Sequence, residues 1–228
     1  MSFVDSLLDI SLIVMPVAGY IPQYLSMRKT RSVEGFSPLV SFILLIANML
    51  RIFFWIDKQF DSVLLYQSFV MIAAQIILLE LIVRIKAYRD GIPLRPYRPN
   101  VYYFKTEEFW NWKQFDEYLA FLSVFVLIGG SLTLFNHFIL QSSLMTEFIG
   151  YFAVLVESCL GIPQLIKNFN SRSVKGLSFV LIFSWFAGDF YKTLLFLYKS
   201  SPMQFVVCGM LQIIVDVLIL LQMMIYKS

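Results

Sequence analysis

Two segments of this 228-residue chain repeat each other at a fixed separation of 141 residues. Ile21-Pro22-Gln23 returns as Ile162-Pro163-Gln164, and Arg31-Ser32-Val33-x-Gly35-x-Ser37 returns as Arg172-Ser173-Val174-x-Gly176-x-Ser178. Between residues 21–42 and 162–183, nine of 22 positions are identical without a gap. Each copy lies where one apolar stretch ends and the next begins. Such a chain reads as a duplicated helical bundle, and sites in duplicated membrane proteins form where the repeats meet.

The bundle belongs in a membrane. With 59% hydrophobic and 14% charged residues and a mean hydropathy of +0.74, the chain has more apolar surface than a soluble domain can bury. Its apolar stretches run to about 20 residues, the length that crosses a hydrocarbon core. Seven are expected, over residues 6–27, 38–56, 62–85, 118–138, 144–168, 178–198 and 203–226. The first lacks a basic leader and a small-residue cleavage site, so it is expected to stay in the membrane.

Spans one to three match spans five to seven at the constant offset, and span four is left over. Equivalent helices are four apart, so both copies cross in the same direction. The expected fold is all-α, with seven transmembrane helices arranged 3+1+3 as parallel repeats. The first repeat covers 1–86, a loop 87–117, a linker helix 118–138, and the second repeat 139–228. A plain seven-helix receptor would carry no such repeat.

Lysine and arginine set the expected orientation. Loops after spans one, three and five, with the C-terminal tail, hold 14 of the 18, against only Lys58 and Lys199 on the opposite side. The N-terminus is therefore expected in the lumen and the C-terminus in the cytosol. The long loop carries Pro93, Pro96 and Pro99, the basic Arg95, Arg98 and Lys105, and the aromatic Phe109, Trp110 and Trp112. Prolines so spaced favour an extended path, and basic residues beside aromatics suit the cytosolic headgroup layer with an anionic lipid. An ordinary juxtamembrane linker is the plainer reading.

Pro22 and Pro163 each remove an amide donor and crowd the carbonyl one turn back, which kinks a helix and frees carbonyls. Gln23 and Gln164 could satisfy those groups or face a cavity; a paired hinge without ligand contact explains the motif equally well. Gly35 and Gly176 suit a tight turn, and Ser37 and Ser178 are N-cap candidates.

A second polar set lies deep in the spans. Asn48 aligns with Asp189, Arg51 with Lys192, and Gln75 with Asp216; Glu157 aligns with Pro16, and Gln212 lies one turn before Asp216. A charge near the bilayer centre costs about 2.5–3.5 kcal/mol on insertion scales, so such groups face a partner or a cavity. Asp189 and Lys192, three apart, could pair as a structural bridge. Arg51 would then be the remaining cation for Glu157 and Asp216. Glu80 is expected to snorkel or meet Arg84. Acid stands in the second half where amide stands in the first, which biases chemistry toward the second bundle.

Phosphate loops, HExxH and nucleophile elbows are absent from the sequence, so no covalent catalysis is expected. The lone His137 argues against a histidine metal site, and Cys159 and Cys208 read as packing residues. No cofactor and no nucleic-acid partner are expected.

The doubled Pro-Gln corners, each followed by a basic RSVxGxS turn, resemble the PQ-loop repeat family of cystinosin- and SWEET-like membrane proteins across all seven spans. The resemblance implies transport, with Asp189 at the position of the family's proton-coupling acid. The runs Val156-Glu157-Ser158-Cys159-Leu160-Gly161, Gly188-Asp189-Phe190-Tyr191-Lys192-Thr193 and Gln212-Ile213-Ile214-Val215-Asp216 are similar to the endosomal and trans-Golgi subgroup of PQ-loop repeat-containing protein 1 type. Phe109-Trp110-Asn111-Trp112 fits it too. That subgroup implies phospholipid scrambling that opposes flippase-made asymmetry. Asn48, where the wider family carries charge, leaves coupling to the second half. Three functions follow as expectations. One is an ATP-independent scramblase with Asn48, Arg51, Gln75, Glu157, Asp189, Lys192 and Asp216 along a headgroup path. The others are a proton-coupled transporter of a small organic solute, and a sorting or interaction protein.

Overall fold

The computed structural model describes residues 3–33, 38–91, 109–174 and 179–226, and every regular element among them is helical. In chain order these are α1 (Phe3–Ala18), α2 (Tyr20–Thr30), α3 (Pro38–Lys58), α4 (Ser62–Asp90) and α5 (Phe115–Phe135). A π-helical turn (Asn136–Leu140), α6 (Ser143–Ser158), α7 (Ile162–Ser171), α8 (Phe179–Tyr198) and α9 (Met203–Ile225) follow. Five stretches among the described residues are long and apolar enough to cross a membrane: 6–30, 38–58, 62–90, 115–140 and 203–225. The pair α6 and α7, bent by 44°, makes a sixth if it is one span. The expected loop therefore starts later than residue 86, because α4 continues to Asp90 and stops at Gly91, whose φ of 65° suits glycine.

The Pro-Gln corners each follow a break and open a short new helix, so the kink expected of the proline falls just before it. Pro163 is the second residue of α7, and the break precedes it. A proline crowds the carbonyl four residues back, here Cys159. The chain answers by tightening, with Leu160 N donating to Glu157 O at 3.2 Å and Ile162 N to Cys159 O at 3.3 Å. Regular bonding resumes from Leu165 N to Gly161 O at 3.1 Å. Pro22 stands likewise in the first turn of α2, after a break at Gly19. Both half-helices end on an arginine in the left-handed region, Arg31 and Arg172, each at φ 50°. Gln59 and Ser200, also 141 residues apart, share φ values of 48° and 50°. The duplication thus extends to backbone conformations that L-residues seldom adopt. Gly35, Ser37, Gly176 and Ser178 lie outside the described residues.

The fold divides into two compact units, Met1–Ile149 and Gly150–Ser228, with the boundary inside α6. In the first, α4 packs against α1 and α3, and α3 against α5. Leu45, Met49, Leu79, Val83 and Leu122 form a core with Trp110, Trp112 and Tyr118. The Tyr118 hydroxyl, near the start of α5, reaches the Trp110 and Trp112 carbonyls at 3.3 and 3.2 Å. Trp110 and Trp112 are therefore packed inside the first unit, at 1% and 4% exposure, whereas Phe109 of the same run is 46% exposed. Arg95, Arg98 and Lys105, the expected anionic-lipid contacts, lie outside the described residues.

At the opposite end of α3, the Asp57 carboxylate gathers three elements. It accepts from Asn136 Nδ2 at 2.7 Å and Thr146 Oγ1 at 2.8 Å, and lies 2.9 Å from His137 Nδ1. Lys58 pairs with Glu147 beside it. On α4 Arg84 pairs with Glu80 as expected.

In the second unit α8 and α7 both pack on α9. Two glycines permit the close approach. A Cβ on Gly209 would overlap the Thr193 hydroxyl, and one on Gly161 would come 2.6 Å from Val215 Cγ1. The break before Pro163 is thus seated directly against α9.

Candidate functional site: the buried charged cluster of the second unit

An ion placed in an apolar helix needs a partner within reach. Lys192, midway along α8, donates from Nζ to Glu157 Oε1 on α6 at 2.8 Å, with the side chains only 13% and 10% exposed. This corrects the local pairing read from the i, i+3 spacing: Lys192 crosses to another helix. It still acts electrostatically on Asp189, one turn back. The Asp189 carboxyl in turn lies within hydrogen-bonding reach of Asp216 on α9. Asp216 is 4% exposed, and its Oδ2 meets no donor among the described residues. A proton held between them would join such a pair of carboxyls. The Thr193 hydroxyl donates to the Asp189 carbonyl at 2.7 Å and ties the start of that turn.

Four of the expected residues, Glu157, Asp189, Lys192 and Asp216, are therefore one connected cluster on three helices. Gln212 stands a turn away on α9, within 3.7 Å of Cys208 Sγ. Gln164 does not cap the carbonyls freed by Pro163; its amide donates to Asn168 Oδ1 at 2.7 Å. Gln23 is half-buried on α2.

The first unit treats its matching residues differently. Asn48 donates to Leu44 O of its own helix at 2.8 Å. Arg51, 3% exposed, donates to Gln67 Oε1 at 2.9 Å, and Gln67 reaches Leu12 O on α1 at 2.8 Å. Gln75, fully buried, accepts from Ser41 Oγ at 2.9 Å. These side chains tie α1, α3 and α4 together with short, buried bonds. Arg51 is accordingly engaged inside its own unit, whereas Glu157 finds its cation in Lys192.

The sequence reading missed Gln67, Ser41, Asn168 and Gln222, and the buried Asp9 of α1. Two of these had a signal. Gln67 and Gln75 lie eight residues apart, hence on one helix face, and Asn168 follows Gln164 by four. Gln67 also occupies the position of Cys208, and Cys208 Sγ lies 3.5 Å from Val154 O on α6. The two units thus make a similar helix-to-backbone contact with different chemistry, the acceptor shifted by one residue between Leu12 and Val154. Among the described residues no group of three His, Cys, Asp or Glu side chains could hold a metal ion.

Comparison with known proteins agrees with this architecture. The family model "PQ loop repeat" matches residues 7–64 and 145–205. Scramblase ANY1 of Saccharomyces cerevisiae is 24% identical over an alignment that covers 88% of this chain and 65% of that protein's length. A solved structure of a eukaryotic SWEET transporter superposes with a TM-score of 0.65 at 14% identity, covering 99% of this chain and 96% of that one. At that identity the likeness is one of fold.

Proposed function

Because the chain belongs to the PQ-loop repeat family of integral membrane proteins, we propose that it is an ATP-independent phospholipid scramblase of endosomal and trans-Golgi membranes. The reading takes all seven expected helices as spans in a 3+1+3 arrangement, N-terminus lumenal and C-terminus cytosolic. The observation that carries it is the linked set Glu157, Lys192, Asp189 and Asp216, buried or half-buried at the end of α6 and within α8 and α9. A zwitterionic headgroup crossing hydrocarbon loses its hydration, at a cost of several kcal/mol per charge. A lysine and three acids in one cluster offer a phosphate and an amine counter-charges in turn. The acyl chains meanwhile stay in lipid, beside exposed apolar residues such as Phe190, Leu194 and Leu211. The likeness to a yeast scramblase supports this substrate class. Such a path dissipates the asymmetry that lipid flippases build.

The test is purified protein in liposomes with fluorescent phospholipids. Dithionite bleaching beyond the outer-leaflet half is expected, and Lys192→Met should slow it. Bleaching that stops at that half, in vesicles shown to contain protein, refutes the proposal.

One observation favours a second reading, a proton-coupled transporter of a small organic solute. Asp189 and Asp216 are within hydrogen-bonding reach, as a proton acceptor pair would be. Solute-dependent proton uptake abolished by Asp189→Asn would select this reading over scrambling.

A further inference from the structure

A second feature of the second unit lies apart from the charged cluster. Between α7 and α9 runs an open groove of about 420 Å³, a size typical of ligand pockets. Its walls are apolar, chiefly Ile166, Phe169, Leu218, Leu221 and Ile225. All five are more than 40% exposed, so they are surface and not core. Such walls take a hydrocarbon chain and nothing polar.

Its end is the opposite. α7 stops at Ser171, and the left-handed turn at Arg172 brings the guanidinium back over the groove wall, 4.4 Å from the Phe169 ring centroid and 5.7 Å from that of Tyr226. Arg172 Nη1 also bonds the Tyr226 hydroxyl at 3.0 Å. Two aromatic faces and a hydroxyl thus hold one cation in place, and only one of its five N–H donors is used by that bond. A fixed guanidinium is the side chain best shaped for phosphate. One turn deeper, Gln222 lines the same groove. It is nine-tenths buried, its Nε2 donates to Leu165 O at 3.0 Å, and its Oε1 has no partner.

We propose that the α7–α9 groove is a glycerophospholipid seat, with the phosphate on Arg172, one acyl chain along Leu218 and Leu221, and Gln222 at the polar boundary between them. The Arg172 charge at the end of an apolar groove selects a phospholipid over a bare hydrocarbon or an apolar peptide. The seat stands whether or not the protein scrambles lipid. Its position after span five puts it at the cytosolic leaflet in the proposed orientation.

The test uses the full chain in alkyl-maltoside micelles, which carry no phosphate, with a trace of phosphatidylserine carrying a diazirine on one acyl chain. A diacylglycerol with the same diazirine runs in parallel, and labelled peptides are mapped by mass spectrometry. Phosphatidylserine is expected to label residues 162–172 and 218–226 about tenfold above the exposed Val126, Leu127 and Ile128 of α5, the weight of one charge-assisted hydrogen bond. Arg172→Gln should remove that excess while leaving diacylglycerol labelling unchanged. Leu218→Trp, which fills the groove without touching the charge, should remove both. Labelling that follows exposure alone, equal on α5 and α9, overturns the proposal. So does an excess shared equally by diacylglycerol. An excess that survives Arg172→Gln and Leu218→Trp in variants of unchanged melting temperature overturns it as well. The dithionite assay is scored separately, so loss of scrambling and loss of the seat are distinct results.

Discussion

Lys192→Met is the sharpest probe of the charged cluster, because it removes one charge and little volume. At 2.8 Å and an effective dielectric of about 20, the gross attraction to Glu157 is about 6 kcal/mol. With side chains 13% and 10% exposed, solvent screens little of it. Desolvation of both ions offsets most of that attraction, so the intact pair has a small net worth. Removing one partner is different, since the other keeps its desolvation cost without the attraction. Lys192→Met should therefore destabilise the protein by about 3–5 kcal/mol. Removing both charges, in Glu157→Leu with Lys192→Met, should recover most of that loss. The measurement is unfolding in mixed micelles in a Cys159→Ala background, followed by thiol-reactive dye at Cys208, which is 2% exposed when folded. A Lys192→Met loss below about 1 kcal/mol, as for a surface pair, would refute the reasoning. So would a double variant whose loss equals the sum of the two singles.

Three further outcomes follow from other contacts. Gly209→Ala should cost about 1–3 kcal/mol by overpacking against Thr193, and Thr193→Ala should restore part of it in the double variant; a neutral Gly209→Ala would mean that α8 and α9 are less close than described. Thr146→Val removes one of the donors to Asp57 while Asn136 remains, so a loss of about 1–2 kcal/mol is expected in the same unfolding assay. Trp110 and Trp112 should emit at short wavelength and resist iodide; strong quenching of a variant that keeps only these two of the four tryptophans would return them to the headgroup layer.

The repeat carried much of the architecture in the sequence. Its offset also sets backbone geometry: Arg31 and Arg172, and Gln59 and Ser200, share left-handed conformations in pairs 141 residues apart. Periodic apolar length located the helices, since hydrocarbon thickness fixes how long each must be. It could not place the break before Pro163, because a proline clash acts one turn upstream of the residue that causes it. The burial of Trp110 and Trp112 within the run at 109–112 was illegible for a related reason. An amphipathic ring suits an interface and a core alike, and only the Tyr118 hydroxyl bound to both tryptophan carbonyls decides for the core.

The alignment of Asn48 with Asp189 and Gln75 with Asp216 pointed to the second half as the charged one. Partners were another matter. Local spacing offered Lys192 to Asp189, three residues away, yet its nearest acid is Glu157 on another helix. Glu157 has Pro16 as its counterpart, so no symmetry argument could predict that contact. By itself the sequence determined a duplicated membrane bundle and its Pro-Gln corners, because each is written in residue type and spacing along one chain. Tertiary structure alone decided which ions pair, which amides are spent as struts, and how Arg172 comes to lie on the Phe169 and Tyr226 rings of the α7–α9 groove. Those depend on distances between helices far apart in sequence, which no local pattern encodes.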